Sequence, residues 1–191
     1  MSNPDSSLRQ DHQIDFDFIS TFEGGNLLDG YVPDAAKSKS GITIAIGFDL
    51  GARNLGDLEA LGLEAQLIEL LLPYLGLQGQ KAADYLGSHP LRITEANAKT
   101  INTAVKRKLI ESLIRKYNTD AKLAFAMLPT QWQTVIASVE FQYGSLQRKC
   151  PSFWRCVTKP DWTKAIAELR DFGDRYTTRR NKEADYAEKN S

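Results

Sequence analysis

The sequence predicts an α+β protein that is mainly α, with a small β-containing N-terminal lobe and a larger helical lobe around a cleft. Three observations carry that expectation. Residues 42–48 read Ile42-Thr43-Ile44-Ala45-Ile46-Gly47-Phe48, a strict alternation of large apolar with small residues that has the period of a strand. Beyond Gly51 strand signals fade, and apolar residues recur at helical spacing to the end of the chain. The 191 residues are 42% hydrophobic and 25% charged, enough for one core-bearing domain without metal or disulfide staples. The expected organisation is a flexible polar N-terminus over 1–12 and a single domain over 13–191. Within it, 13–56 form the small lobe with the first helix and sheet, and 57–191 the helical lobe.

Taken in order, Ile14, Phe18, Ile19 and Phe22 share one helical face. Asp11 is a candidate cap, Asp15 and Asp17 lie near the positive end of the dipole, and Gly24-Gly25 ends the helix. A polar loop is expected over 26–41, then the strand. Helices are expected at 58–72, stopped by Pro73, and at 94–117, 121–127, 130–142, 161–172 and 175–189, with Thr94, Thr130 and Asp161 as caps. The long helix places Ile101, Val105, Leu109, Leu113 and Tyr117 on one stripe, fringed by Lys106, Arg107, Lys108, Arg115 and Lys116.

Composition excludes several classes. The longest apolar stretch, Leu67 to Leu77, is broken by Glu69, Pro73 and Gly76, far short of the roughly 20 residues of a membrane helix. The first twelve residues lack a secretory pattern, so the chain is expected to be made in the cytoplasm without a signal peptide. His12 and His89 lie apart, and two cysteines are too few for a zinc site, so no metal or cofactor is expected. Cys150 and Cys156 flank a loop-like spacer, and either a disulfide or two unpaired thiols fits them. The balanced charge is unevenly spread: 5 Lys+Arg against 13 Asp+Glu over residues 1–91, and 19 against 11 over 92–191. A basic half attracts an anionic polymer, but no nucleic-acid module is recognisable, and nucleic-acid and membrane partners are not expected.

Candidate chemistry falls in residues 23–49. Glu23, placed in the last turn of the first helix beside Phe22, faces the negative dipole end and an apolar neighbour. Both favour the protonated form a general acid needs. Thr43 and Asp49 lie on the small-residue face of the strand. In one straight strand they would be about 20 Å apart, so a joint role requires a bend near Gly47.

These segments also resemble a known family. Phe18-Ile19-Ser20-Thr21-Phe22-Glu23-Gly24, Gly30-Tyr31-Val32-Pro33 and above all Ser40-Gly41-Ile42-Thr43-Ile44-Ala45-Ile46-Gly47-Phe48-Asp49-Leu50-Gly51 resemble the pesticin-type branch of the phage-type lysozymes. Phe141-Gln142-Tyr143-Gly144 is similar to that family's Phe-Asn-x-Gly, and Arg179-Arg180 with Glu183 to its Arg-Arg-x-x-Glu helix. The resemblance implies a lysozyme-like fold and an N-acetylmuramidase cutting the β-1,4 bond between N-acetylmuramic acid and N-acetylglucosamine in peptidoglycan. Carried over by position, Glu23 is the acid, and Thr43 and Asp49 hold a water for an inverting attack. Gln131, Gln142 and Tyr143 are substrate-binding candidates for lining the sugar cleft, with packing and surface roles as the alternative for amide and aromatic residues on a helix.

Ordinary phage-type enzymes place the second carboxylate before the threonine, where this chain offers Asp29 and Asp34; the pesticin branch places it at Asp49. Gln142 stands in place of Asn, and Ala45 in place of a frequent Gly. An antibacterial toxin or lytic enzyme of this kind would act in the periplasm of a target or host bacterium after delivery by other machinery. Its partners would be peptidoglycan glycan strands and a cognate immunity or inhibitor protein. A lytic transglycosylase and a non-catalytic peptidoglycan-binding domain are the alternatives.

Overall fold

The computed structural model describes residues 12–37 and 39–189. The expected flexible N-terminus and the candidate cap Asp11 therefore fall outside the described residues, apart from His12. The fold is α+β and mainly α, with one small three-stranded sheet. Two compact units form: Glu23 to Lys108, and the chain up to Phe22 together with Leu109 onward.

The Glu23–Lys108 unit carries the antiparallel sheet β1 (Leu27–Tyr31), β2 (Thr43–Ala45) and β3 (Phe48–Asp49), in that spatial order. The expected continuous strand over 42–48 is a hairpin instead. Gly47 adopts φ 75°, a left-handed conformation that glycine reaches without a Cβ penalty, and the chain reverses there. Of the four large apolar residues in the alternation, Ile42, Ile44 and Phe48 enter the core, whereas Ile46 sits at the turn and is 40% exposed. The expected polar loop contains β1. Its burial alternates between exposed and half-buried, and its sequence, Leu27-Leu28-Asp29-Gly30-Tyr31, has no apolar alternation to announce a strand. Its far edge pairs with the segment around Arg92 through Gly30 N to Leu91 O at 2.8 Å and Ile93 N to Leu28 O at 2.9 Å.

The expected helix over 58–72 is two, α2 (Leu55–Ala60) and α3 (Ala65–Leu71), divided at Gly62, whose φ is 69°. Asn54 and Asp57 close a capping box on α2. The unexpected α4 spans Gly79–Ser88, and α5 spans Glu95–Asp120. Thr94 caps α5 as expected, accepting from Asn97 N at 3.1 Å. Ile42, Ile44, Leu50, Leu58, Leu71 and Ile101 are fully buried in this unit's core.

In the other unit, α1 covers only Phe16–Ser20, capped by the Asp15 side chain at its start and ending at Thr21. α6 (Thr130–Tyr143) is buried on every face from Gln131 to Glu140, the mark of a helix at the centre of a core rather than on its surface. Its N-cap is Pro129 rather than the expected Thr130, whose hydroxyl donates to Gln13 instead. Gly144, at φ 71°, closes its C-terminus. The polar residues of α6 hold neighbouring segments: Gln133 accepts from Gln13 N at 3.0 Å, Thr134 from Asp15 N at 2.9 Å, and Ser138 donates to Glu183 at 2.5 Å.

Around α6 pack α7 (Leu146–Lys149), α8 (Pro151–Thr158), α9 (Trp162–Arg170) and α10 (Thr177–Lys189). Asp161 caps α9 as expected. The expected helix over 121–127 reduces to a 3-10 turn at Phe125–Met127. The spacer between the cysteines is helix α8, not a loop, and Cys150 and Cys156 are free thiols. Burial pushes the Cys150 thiol up to about 11. Trp132 and Trp162 stack at 4.5 Å, and the Trp154 indole donates to Asp120 at 2.8 Å, so all three tryptophans serve packing. No helix among the described residues is long and apolar enough to cross a membrane.

One prediction arises from this unit's carboxylates. Burial alone would raise Asp174, but hydrogen bonds from Tyr143, from Tyr176 N and from Arg180 outweigh it and hold it below its ordinary value. The Phe18 amide does most to lower Asp15, with burial opposing and Tyr186 assisting. A carboxylate depressed in the folded state stabilises above its unfolded value of about 3.9 and ceases to do so as pH falls through the folded value. Thermal melts at stepped pH are expected to show stability falling below about pH 4, with Asp174→Asn flattening that fall.

Candidate active site

Glu23 lies past Thr21 in a bend rather than in the last turn of α1, so a helix dipole is not what faces it. Its side chain is 17% exposed, and Oε2 accepts from Lys106 Nζ at 2.6 Å. Where the sequence suggested an apolar lining, the neighbour is an ammonium.

Lys106 belongs to a polar stripe on α5. One turn earlier, Asn102 accepts from Ile46 N at 3.3 Å and donates to Asn26 Oδ1 at 2.8 Å, while Asn26 donates to Glu95 Oε2 at 3.0 Å. Thus Glu95, Asn102 and Lys106 tie both the Glu23–Asn26 segment and the hairpin tip to one helix. Sequence reasoning missed this tie. Lys106 stood out only as one of a cationic fringe, although the spacing of 95, 102 and 106 places the three on one helical face.

The hairpin supplies the bend that Thr43 and Asp49 require. They are direct cross-strand partners, which brings Cβ atoms to about 5 Å instead of the extended distance. Thr43 is buried, and its hydroxyl donates to Gly41 O at 3.2 Å. Asp49 is half-buried, and its Oδ1 accepts from both Gly51 N at 2.8 Å and Gly41 N at 3.0 Å. Both bonds go to the same carboxylate oxygen.

This cradle requires glycine on both sides. A Cβ on Gly41 would lie 2.3 Å from Gly51 Cα, and one on Gly51 would lie 2.4 Å from Leu77 O. Both obstacles are backbone, so neither can swing aside. Gly51→Ala is therefore expected to cost about 1–3 kcal/mol and to release Asp49, read as a lowered melting temperature together with lost activity.

The alternative carboxylates are placed differently. Asp29, on β1, is 69% exposed and paired to Arg92 at 2.6 Å. Asp34 is an exposed turn residue with φ 44°. Neither pairs with Thr43 across the sheet.

Gln131, Gln142 and Tyr143 all lie on α6, in the other unit. Gln131 is buried. Gln142 Oε1 accepts from Arg180, and the Tyr143 hydroxyl donates to Asp174 at 2.5 Å. Burial, reinforced by Asp174, pushes the Tyr143 phenol up to about 12. Arg180 is itself 1% exposed and also pairs with Glu183 and Asp174. The Arg-Arg-x-x-Glu segment thus forms a buried ionic centre that also holds two of the candidate sugar ligands.

Residues 13–163 match the family described as "Pesticin: Bacterial toxin homologue of phage lysozyme, C-term". That span is well over half of the chain and includes Glu23, Thr43, Asp49, Gln131, Gln142 and Tyr143. No curated protein matches the chain.

Proposed function

Because the chain belongs to the pesticin family of bacterial toxin homologues of phage lysozyme, we propose that it is an N-acetylmuramidase acting on peptidoglycan. The carrying observation is the hairpin that sets Thr43 across from Asp49, with Asp49 Oδ1 held by two amides. In this reading Asp49 Oδ2 and the Thr43 hydroxyl hold a water. As that water attacks C1 of N-acetylmuramic acid, its proton passes to Asp49. The C1–O4 bond breaks, and the proton of Glu23 goes to the departing O4 of N-acetylglucosamine. The products are a new reducing end with inverted configuration and a free 4-hydroxyl.

Glu23 has Lys106 on Oε2, which leaves Oε1 for the glycosidic oxygen. Gln142, its Oε1 held by Arg180, keeps an amide donor for a sugar, with Tyr143 next to it and Gln131 about three turns earlier on the same helix. The setting is an antibacterial toxin or lytic enzyme delivered to a periplasm, with an immunity or inhibitor protein as its counterpart.

Mass spectrometry of muropeptides released from purified peptidoglycan tests the reaction. Reducing-end muramic acid is the expected product. A 1,6-anhydro product would assign a transglycosylase, which closes the ring without water and has no use for Thr43 and Asp49 as water holders. No release would leave a peptidoglycan-binding domain.

A further inference from the structure

Outside the residues just assigned, the strongest unexplained feature is a concave surface of about 340 Å³ on α10 and the segment before it, lined by Phe22, Arg175, Tyr176, Thr178, Arg179 and Lys182. That volume lies within the range of small-ligand sites. Its charge is one-sided, with three cations and no carboxylate in the lining. The acids adjoining the lining residues in the chain are engaged elsewhere: Glu23 on Lys106, Glu183 on Arg179, Arg180 and Ser138, and Asp174 on Arg180, Tyr143 and Tyr176 N.

Arg179 is neutralised by Glu183, and its guanidinium covers the Phe22 ring at 4.7 Å. Arg175 and Lys182 have no carboxylate partner among the described residues. The Arg175 guanidinium donates to the Tyr176 hydroxyl and lies over its ring, and Lys182 lies 6.0 Å from the Phe22 ring. Tyr176 is 39% exposed, a large aromatic face with a polar tip of the kind that covers sugars and other half-apolar ligands.

Two uncompensated cations beside an open aromatic face suit a ligand that is half sugar and half carboxylate. Phe22 directly precedes Glu23 in the chain. We propose that this pocket binds the acidic stem peptide of a muramoyl unit, with Arg175 and Lys182 taking its carboxylates and Tyr176 lying against the sugar or lactyl group. The inference rests on the muramidase reading for its choice of ligand. Charge complementarity chooses it over an uncharged glycan, which would leave both cations unused.

The probe is a soluble N-acetylglucosaminyl-N-acetylmuramoyl tripeptide with free carboxylates, beside the same compound as its methyl ester, titrated calorimetrically into the full chain. The disaccharide lacks the bond that a muramidase cuts, so binding is read without turnover and stands or falls apart from catalysis. The wild type is expected to bind the acid about tenfold more tightly than the ester, with the difference shrinking as salt rises. Arg175→Gln with Lys182→Gln removes that preference, and Tyr176→Ala weakens both compounds alike. Both substitutions lie on exposed side chains, and an unchanged melting temperature checks the fold. Equal affinity for acid and ester, a preference that survives the double substitution, or no binding of either compound overturns the proposal.

Discussion

Glu23→Gln is expected to lower glycan cleavage by about 10²- to 10⁴-fold with little change in melting temperature. The amide is nearly the same shape and still offers Lys106 an acceptor, so the contact at 2.6 Å persists as a hydrogen bond from the ammonium to an uncharged oxygen. What it lacks is a proton to give to the departing oxygen. Release of reducing ends from purified peptidoglycan, followed alongside a thermal melt, separates the two effects. Activity within a few-fold of wild type would remove Glu23 as the acid. Loss of activity with a large fall in melting temperature would instead mark it as a structural anchor.

Arg180→Met is expected to destabilise the protein by about 3–5 kcal/mol. Arg180 is 1% exposed and holds Glu183, Asp174 and Gln142 together. Methionine fills most of the volume but leaves buried carboxylates without their counter-charge, and an unpaired buried charge costs more than the pair contributed. Arg179 also reaches Glu183, at 3.1 Å, which places the expectation near the lower end. For a chain of this length that corresponds to a fall of roughly 6–12 °C in melting temperature. Adding Glu183→Leu should recover part of it, and a single variant melting within 2 °C of wild type would show that the cluster carries little net stability.

What was legible in the sequence followed from pattern strength. The stretch from Ser40 to Gly51 announced both strand and candidate site, because alternation and motif coincide there. Helices with long apolar stripes, such as α5 and α6, were legible within a few residues of their ends. β1 was not, since an edge strand with half-exposed side chains carries little periodic signal. Neither were α4, α7 and α8, which are short and bounded by Gly or Pro. Of the site, Glu23, Thr43 and Asp49 could be named one by one, and the need for a bend could be deduced. That the bend is a hairpin making Thr43 and Asp49 cross-strand partners depends on the left-handed Gly47. The Lys106 contact could not be read at all, because it joins residues 83 apart in the chain.

The division of the chain has a consequence for how the protein comes to be folded. The Glu23–Lys108 unit is one continuous stretch, while the other is assembled from its two flanks. Asp15 N meets Thr134 across 119 residues, and Gln13 N meets Gln133 across 120. During synthesis at about 5–20 residues per second, α1 therefore waits some 6–24 seconds for the helix it docks on. The continuous stretch has all its partners long before that. Folding it first shortens the loop that α1 must close, and the entropic cost of closure grows only slowly with loop length. The segment that leads directly into Glu23 is thus among the last to be secured, so an emerging or threaded chain carries its candidate acid before that acid has a fixed approach.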